Sequence, residues 1–556
     1  MPRTKIVATI GPASFKRSLL KTMFRNNLSA IRINTAHIEP GYIQKVKTVV
    51  DEINSEIHKH VGIMVDLKGP ELRTGVFKNG SLQVNRGKEY TVGKGGDIEF
   101  NHNSALASLH EGDQILLSDG KIRMRVTKAI GGKISVKSRD SGALRDRSRV
   151  NIPGKFIELG TLTDRDISFM EEGIKAGVNF FAQSFVQRDQ DVINLQKMIS
   201  ERGGNQYVIS KIETRSGMQN LKGIVRNSDL VMVARGDLGV ELPLREVSVA
   251  QKDIIKIAHK VGVPAIVATQ MLESMVKSSS PTRAEISDVT NAILDNADAV
   301  MLSEETAIGD FPVAAVRYLR MISDYVESER EEMPEPAEFF GNPVAYSIAK
   351  ASKVVSQEIR ADAILAFTKT GNTAKMISAI RPHAPLIAAV ESENVARKLN
   401  LYWGVEPTVL DSTNLEELDF NSILNVIVKN SSLKKGNRIV ITSGAPYFVF
   451  GGTNEVRVAT VGNFIGRGYP LGKSVDGKVT LKQSGKGDIL VVSGNTVSES
   501  VESRFRGIIF TEDISQKLKN ELISKKITIL YRTRLAGGID EGQMVHIDGF
   551  TGVIIS

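Results

Sequence analysis

The chain has 556 residues, too many for one hydrophobic core, and its length predicts roughly three or four domains. It contains no cysteine, which excludes disulfides, thiolate metal sites and cysteine nucleophiles. The 72 Lys and Arg residues outnumber the 63 Asp and Glu residues but are scattered along the chain, which argues against nucleic-acid binding and suits small anionic substrates. With neither a membrane-length apolar run nor a signal-peptide pattern, we expect no membrane association and a cytoplasmic location.

Short apolar, β-branched runs alternate with helical stretches over the first part of the chain, a pattern typical of a parallel α/β fold. Eight runs are predicted strands: Lys5–Ile10, Ala30–Asn34, Gly62–Asp66, Phe180–Phe185, Val208–Lys211, Leu230–Ala234, Pro264–Ala268 and Ala299–Leu302. Pro281–Glu285 fits a capping box before the helix that precedes the last strand. Eight buried strands predict a (β/α)₈ TIM barrel, which we assign to residues 1–69 and 154–335.

A long interval separates the third predicted strand from the fourth, and it is too long for a loop without structure. It is rich in glycine and in alternating β patterns, for example at Arg123–Val126. Residues 70–153 are therefore predicted to form an inserted β-barrel domain. Because an insertion on a βα loop lies at the catalytic face of a barrel, we expect this domain to act as a lid.

A second α/β unit is predicted after Glu335-Pro336, and we assign residues 336–471 to it. Its first predicted strand, Ala363–Phe367, leads into a segment that offers hydroxyls, a lysine and N–H groups at a helix N-terminus: Thr368, Lys369, Thr370, Gly371, Asn372 and Thr373. Such a segment forms either an anion site or an ordinary N-cap. Residues 472–556 are predicted to form a small, β-rich tail domain.

Polar residues stand at the ends of the predicted barrel strands, where barrel enzymes carry their catalytic groups. They are Arg32, Asn34, Asp66, Lys68, Ser184, Lys211, Glu213, Arg235, Asp237, Thr269, Ser303 and Glu305. Since these ends face one mouth, we predict a functional cluster; the alternative is a structural salt-bridge network. Glu213 and Asp237 offer hard oxygen ligands for Mg²⁺ or Mn²⁺, and Lys211 adds positive charge beside them. This arrangement suits phosphoryl transfer.

Seven segments follow one another in unbroken order within about residues 1–465: Lys5–Ser14, Arg32–His37, Asp66–Arg73, Ile209–Glu213, Met232–Glu241, Ala268–Met275 and Met301–Ala307. Together they resemble the pyruvate kinase family. The resemblance implies a glycolytic phosphotransferase that converts phosphoenolpyruvate and ADP into pyruvate and ATP. It also implies a homotetramer, because members of the family form tetramers.

The resemblance implies a role for each main residue of the cluster. Lys211 would contact the transferring phosphoryl group and stabilise the enolate oxygen. Glu213 and Asp237 would hold the divalent metal, and Arg32 would bind the phosphate.

The same resemblance implies roles for residues around this centre. The backbone of Gly236 and Asp237 and the hydroxyl of Thr269 would hold the substrate carboxylate, with Thr269 near the proton path. Further implied catalytic residues are Arg73, Ser303 and Glu305. The implied nucleotide-side residues are Pro12, Asn34 and His37.

The chain departs from the family at the position of a potassium ion. Asn34, Asp66 and the Leu67 carbonyl match the implied K⁺ ligands, but Ala36 replaces a serine and removes one oxygen ligand. Glu71 instead favours K⁺ dependence, since K⁺-independent members of the family carry lysine at this position. K⁺ dependence therefore stays open.

At residues 368–373 the family places a phosphorylated allosteric effector, and AMP or a sugar monophosphate would suit this chain.

The tail resembles the swivelling domain of phosphoenolpyruvate-utilising enzymes at Gly487–Val492 and Val545–Gly552. Ile514-Ser515-Gln516 stands roughly where those enzymes carry a phosphohistidine, so we expect a packing or assembly element rather than a catalytic one.

Two rival functions stay open. One is a metal-dependent aldolase or lyase that acts through a pyruvate enolate and needs no lid. The other is a catalytically silent phosphometabolite sensor.

Overall fold

The computed structural model describes residues 3–102, 104–130, 133–155, 157, 159–329, 343–410, 420–444, 453–497 and 504–556. The chain forms two compact units. The first comprises Met1–Gly341, Ser378–Arg381 and Ala396–Val405, and the second comprises Asn342–Ile377, Pro382–Val395 and Glu406–Ser556. Among the described helices, none has the length and apolarity needed to cross a membrane.

The first unit begins with three parallel strands and the helices between them. These are β1 (Lys5–Thr9), α1 (Arg17–Arg25), β2 (Ala30–Asn34), α2 (Tyr42–Ile57) and β3 (Gly62–Leu67). Strand β2 pairs with both β1 and β3. All five residues of β1 and all six of β3 are buried, as expected for strands covered on both faces.

The insert that follows β3 is built from antiparallel strands. Its elements are β4 (Ser81–Val84), β5 (Glu89–Val92), α3 (Ser104–Ala107), β6 (Gln114–Leu117), β7 (Ile122–Ile130), β8 (Lys133–Ser138), β9 (Gly142–Arg145) and β10 (Val150–Asn151). The described strands hydrogen-bond as a five-stranded sheet, β10-β6-β7-β8-β5, and a two-stranded sheet, β4-β9. Val84 and Leu144 of the small sheet share one apolar core with Ile115 and Met124 of the large one.

The chain then returns to the barrel through alternating helices and strands. These are α4 (Asp164–Ala176), β11 (Phe180–Gln183), α5 (Asp189–Glu201), β12 (Tyr207–Ile212), α6 (Arg215–Gln219), α7 (Leu221–Asn227), β13 (Leu230–Ala234), α8 (Arg235–Glu241), α9 (Leu244–Lys260), β14 (Ala265–Ala268), α10 (Arg283–Leu294), β15 (Ala299–Leu302), α11 (Glu304–Ala307) and α12 (Pro312–Ser328). Strand β15 pairs with β1 and closes a barrel of eight parallel strands. The predicted TIM barrel is thereby confirmed.

Sequence and structure agree closely at the barrel strands. Each predicted strand is present, and β2, β13 and β15 have the predicted ends. The largest difference is at β11, which ends at Gln183 instead of Phe185, because Phe185 has a φ of 55° and leaves the extended conformation. The predicted capping box is also present, since Thr282 and Glu285 exchange side chain to backbone hydrogen bonds at the start of α10.

The second unit contains a five-stranded sheet and a closed barrel. The sheet has the order β18-β17-β16-β19-β20. Its elements are α13 (Pro343–Glu358), β16 (Ala363–Phe367), α14 (Asn372–Ala379), β17 (Leu386–Val390), α15 (Glu393–Leu399), β18 (Val405–Val409), α16 (Phe420–Asn430), β19 (Arg438–Ser443) and β20 (Glu455–Thr460). The predicted C-terminal α/β domain is confirmed.

The tail strands close into a barrel of seven, in the order β21-β25-β24-β23-β22-β26-β27. They are β21 (Phe464–Leu471), β22 (Val475–Thr480), β23 (Ile489–Val492), β24 (Gly507–Phe510), β25 (Thr528–Leu535), β26 (Met544–Ile547) and β27 (Val553–Ile555), with α17 (Gln516–Ser524) before β25. Strand β21 pairs with β25 and β27, so it belongs to this barrel although the sequence analysis grouped it with the preceding domain.

A buried arginine stabilises the first unit away from the barrel mouth. Arg381 is 1% exposed, and its Nη2 donates to Asp298 Oδ1 at 2.8 Å and to the Asn296 carbonyl at 2.9 Å. Its guanidinium lies 4.6 Å from the ring centre of Trp403. Breaking such a pair leaves a buried charge without compensation.

We expect Arg381→Ala to lower the free energy of unfolding by about 3–5 kcal/mol, the usual cost of breaking a buried ion pair. Urea unfolding followed by the fluorescence of Trp403, the one tryptophan of the chain, measures this directly. Arg317→Ala on the exposed face of α12 is the control and should change stability by less than about 0.5 kcal/mol. Equal effects of the two substitutions would contradict the account of Arg381.

Candidate active site

Lys211 is the centre of a buried polar cluster at the C-terminal end of the barrel. It lies on β12, one residue before the strand ends, and is 9% exposed. Its Nζ lies 2.8 Å from Ser184 Oγ, 2.9 Å from Glu213 Oε1 and 3.3 Å from Asp66 Oδ1. The structure therefore brings together side chains from the ends of three neighbouring strands, as the sequence predicts.

Asp66 joins Lys211 to a second cation. Its Oδ2 accepts a hydrogen bond of 2.7 Å from Arg32 Nε, and Arg32 Nη1 donates to Thr9 Oγ1 at 3.0 Å. Burial opposes ionisation of Asp66, but the charges of Lys211 and Arg32 outweigh it and lower the pKa of Asp66 below its usual value. An ionised Asp66 thus holds a lysine and an arginine side by side, an arrangement that suits a phosphate.

Glu213 follows β12 directly and is 1% exposed. Its Oε2 accepts a hydrogen bond of 2.8 Å from the Phe185 backbone N–H. Burial raises the pKa of Glu213 to about 7; Lys211 opposes this rise, and the negative charge of Asp237 adds to it. Two carboxylates are therefore held close together where their mutual repulsion favours a bound cation.

Asp237 lies in the first turn of α8, after β13. Its Oδ1 accepts a hydrogen bond of 2.6 Å from Arg149 Nη1, a residue of the insert. Burial opposes ionisation of Asp237, but Arg149 and Lys211 outweigh it and lower the pKa of Asp237.

The donor set around Glu213 and Asp237 fits a hard divalent ion. Within the described part of the chain, no three His, Cys, Asp or Glu side chains form a metal-binding group. Two carboxylates are nevertheless sufficient for Mg²⁺, which usually keeps several waters and takes its remaining ligands from substrate oxygens.

Thr269 and Gly236 form a small polar surface beside this pair. Thr269 follows β14 with a φ of 68°, and its Oγ1 accepts a hydrogen bond of 2.9 Å from the Gly236 N–H. The Thr269 carbonyl accepts a 2.6 Å hydrogen bond from Arg235 Nη2, which holds the strained turn in place. The first residues of α8 and the Thr269 hydroxyl are thus adjacent, as the sequence predicts.

Glu305 and Ser303 lie at the end of β15. Glu305 is 2% exposed, and its oxygens accept hydrogen bonds from the backbone N–H groups of Ser303 at 2.7 Å and Leu272 at 3.0 Å. Burial raises the pKa of Glu305. The Ser303 hydroxyl is buried without a hydrogen-bond partner among the described residues. In this structure Glu305 therefore joins two backbone segments at the barrel rim.

The remaining predicted site residues lie outside the Lys211 cluster. Arg73 pairs with Glu71, with its Nε 2.9 Å from Oε2, and donates to the Arg147 carbonyl at 2.8 Å. Asn34 Oδ1 accepts a 3.1 Å hydrogen bond from the Ala36 N–H and caps the short helical turn that contains His37. Pro12 lines an open groove beside α12.

The predicted effector segment lies between β16 and α14 in the second unit. Thr368 Oγ1 accepts a 3.0 Å hydrogen bond from the Gly371 N–H, and Gly371 has a φ of 93°, which glycine adopts without strain. Thr373 Oγ1 lies 2.7 Å from Thr453 Oγ1. Lys369 is exposed beside this turn.

The sequence analysis missed Arg149, although this residue contacts Asp237 directly. Arg149 lies between two insert strands, β9 and β10, and follows no barrel strand. The cluster was predicted from the ends of barrel strands, so this prediction could not include Arg149. The available signal is its position just before Asn151–Gly154, a segment with a proline and a glycine where the chain returns from the insert to the barrel.

An eight-stranded barrel whose mouth combines a lysine and an arginine with the carboxylates of Asp66, Glu213 and Asp237 has the fixed charges that a barrel phosphotransferase needs. The family model described as pyruvate kinase, barrel domain, matches residues 1–316, and the one described as pyruvate kinase, alpha/beta domain, matches residues 346–459. The chain belongs to the pyruvate kinase family, and the predicted phosphotransferase function is confirmed.

Individual relatives extend this comparison. The chain is 51% identical to a pyruvate kinase of Thermoplasma acidophilum over 553 residues, which cover 100% of this chain and 98% of the relative. It is 36% identical to pyruvate kinase 2 of Synechocystis sp., covering 100% and 97%. A crystal structure of a pyruvate kinase from Cryptosporidium parvum matches 83% of this chain and 96% of its own with a TM-score of 0.76 and 31% identity. The first two matches include the tail.

Proposed function

We propose that Lys211, Glu213 and Asp237 carry the transfer of phosphoryl from phosphoenolpyruvate to ADP in this chain. The observation that supports these roles is the geometry of Lys211, whose Nζ lies 2.9 Å from Glu213 Oε1 in a buried site that also contains Arg32 and Asp66. Phosphoryl transfer depends mainly on fixed positive charge and on positioning, and this cluster supplies both.

Glu213 and Asp237 would hold Mg²⁺ or Mn²⁺. When bound, the ion neutralises charge on the oxygens of the phosphate and of the carboxylate. Lys211 would donate to the transferring phosphoryl group and then to the enolate oxygen. Because Asp66 and Glu213 both lie within 3.3 Å of its Nζ, the ammonium is held in one place through the reaction.

Arg32 would bind the phosphate, since its guanidinium is fixed by Asp66 and Thr9. The Gly236 N–H and the Thr269 hydroxyl, which lie 2.9 Å apart, would hold the carboxylate, and the hydroxyl would pass a proton to the methylene carbon. We assign supporting catalytic roles to Ser303 and Glu305, which border the same rim.

The nucleotide would approach from the side of Pro12, Asn34 and His37, and Arg73 keeps its proposed catalytic role. Closure of the insert over the mouth would exclude water, which otherwise competes with ADP for the phosphoryl group. We further propose a phosphorylated effector at residues 368–373 and a homotetrameric assembly; both follow from the family resemblance.

A weak K⁺ site is proposed at Asn34, Asp66 and the Leu67 carbonyl. Ala36 supplies no oxygen there, so Ala36→Ser is expected to lower the K⁺ concentration for half-maximal activity about fivefold, as one added polar contact of ~1 kcal/mol would. Steady-state rates over a K⁺ titration measure the change. Leu67→Thr is the control, because only the backbone carbonyl of residue 67 would be a ligand. If Ala36→Ser leaves the titration unchanged, the K⁺ site is wrong.

Phosphorus NMR, which follows phosphoenolpyruvate and ATP, and proton NMR, which follows pyruvate, together test the proposed reaction on the purified protein with phosphoenolpyruvate, ADP and Mg²⁺. We expect ATP and pyruvate to form in equal amounts, with neither formed when ADP is omitted. A lyase would instead release pyruvate from a 4-hydroxy-2-oxo acid without ADP, and a sensor would turn over nothing. Either of these results would overturn the proposal.

A further inference from the structure

Arg149 is fixed to the insert by its backbone. It forms an isolated antiparallel bridge with Arg73, and its carbonyl accepts a 3.0 Å hydrogen bond from the Ser118 N–H. The next two residues form β10, at the edge of the five-stranded sheet. The backbone of Arg149 therefore moves with the insert.

Its side chain, by contrast, lies against the barrel mouth. Arg149 Nη1 lies 2.6 Å from Asp237 Oδ1, and the guanidinium lies 4.9 Å from the ring centre of Phe185. The backbone N–H of Phe185 donates to Glu213, so the Arg149 side chain contacts Asp237 directly and packs on the residue that binds Glu213. Phe185 has a φ of 55°, an uncommon conformation for an aromatic residue, and such strain is concentrated at functional sites.

The guanidinium and a divalent ion need the same carboxylate. A metal takes a carboxylate oxygen as a direct ligand, and Asp237 Oδ1 already accepts the short bond from Arg149. The two cations also repel each other. An arginine cannot lose its proton to relieve this repulsion, so the guanidinium opposes metal binding at this carboxylate for as long as it stays in contact with it.

We propose that Arg149 is a positioning residue that competes with the divalent metal for Asp237. In the metal-free protein it compensates the carboxylate and holds the insert against the barrel. Metal binding exchanges that contact for a metal contact and frees the insert, which then closes over bound substrate and nucleotide as proposed above. Asp119 offers an alternative partner on the insert itself, since its Oδ1 is 3.7 Å from Arg149 Nη1. This inference rests on the proposed metal site at Glu213 and Asp237.

Electron paramagnetic resonance of free Mn²⁺, titrated with the full-length protein in the absence of substrate, tests the competition. Arg149→Ala is expected to bind Mn²⁺ about tenfold more tightly than the unmodified protein, because one charge-assisted hydrogen bond no longer opposes binding. Arg149→Lys keeps a competing charge and should lie between the two. Arg125→Ala is the control, since it removes one exposed charge from β7 of the same insert and should change Mn²⁺ affinity less than about twofold.

Amide hydrogen exchange of residues 147–152 gives a second readout. Adding Mn²⁺ should speed exchange in the unmodified protein, whereas Arg149→Ala should exchange fast with or without metal. Unchanged or weaker Mn²⁺ binding by Arg149→Ala, or slower exchange on adding Mn²⁺ to the unmodified protein, would overturn the proposal. Should Arg149→Ala not fold, Arg149→Gln replaces it in both measurements.

A separate variant distinguishes failure of this inference from failure of the metal site. Glu213→Gln is expected to weaken Mn²⁺ binding strongly. If it does not, the metal site itself is wrong. If it does while Arg149→Ala shows no gain in affinity, only the competition is wrong.

Discussion

Lys211→Met is expected to lower kcat for pyruvate formation by about a thousandfold, the upper range for loss of one preorganised group that stabilises transition-state charge. Methionine keeps most of the volume of the lysine, so the barrel mouth stays filled while its central positive charge is lost. Nζ is the atom that lies within 3.3 Å of Asp66, Ser184 and Glu213, and no other described side chain has those three contacts. Steady-state rates with phosphoenolpyruvate, ADP and Mg²⁺ measure the loss.

The matched control for this substitution is Lys222→Met on the exposed side of α7, which removes the same charge from the same barrel. It should leave kcat within about twofold, because the charge of an exposed lysine is screened by solvent and salt. Circular dichroism should show that both variants are folded. A folded Lys211→Met variant with kcat within about tenfold of the unmodified protein would contradict the role given to Lys211.

Glu213→Gln and Asp237→Asn should each raise the Mg²⁺ concentration for half-maximal activity by at least about a hundredfold. Loss of supporting groups around a metal ligand already costs about 10- to 100-fold in affinity, so loss of a direct ligand should cost no less. Both substitutions preserve shape and remove only charge. The amide oxygens that they introduce would still be able to accept the hydrogen bonds from Phe185 and Arg149 that the carboxylates accept now. Activity over a Mg²⁺ titration measures the shift.

Asp253→Asn, an exposed position on α9, is the control for the charge change and should leave the Mg²⁺ titration unchanged. The account of the metal site fails if either active-site variant saturates at the same Mg²⁺ concentration as the unmodified protein. Comparison of the two variants also shows whether the two carboxylates contribute equally.

The barrel could be predicted because each of its strands is visible in a short stretch of sequence. Buried parallel strands need continuous apolar, β-branched runs, and β2, β13 and β15 coincide with such runs to the residue. The cluster could be predicted because the C-terminal ends of all barrel strands lie at the same face of the barrel. Lys211 and Asp66 therefore meet although they are far apart in sequence.

Contacts that depend on the insert could not be predicted in the same way. Arg149 approaches Asp237 only because a β domain folds back over the barrel, and no local periodicity records that approach. Arg73 stands in one of the family segments, which suggests a place beside Lys211. In the structure it pairs instead with Glu71, outside the Lys211 cluster. Strand β21 joined the tail barrel through pairing with β25 and β27, which are distant in sequence.

Metal removal followed by add-back is the measurement that tests the central claim most directly. After chelation of divalent ions, the protein should form no pyruvate from phosphoenolpyruvate and ADP, because Glu213 and Asp237 then hold no cation to compensate the substrate oxygens. Added Mg²⁺ should restore ADP-dependent pyruvate formation. Turnover without metal, or no turnover after Mg²⁺ is restored, would contradict the assignment of this barrel mouth as a metal-assisted phosphotransfer site.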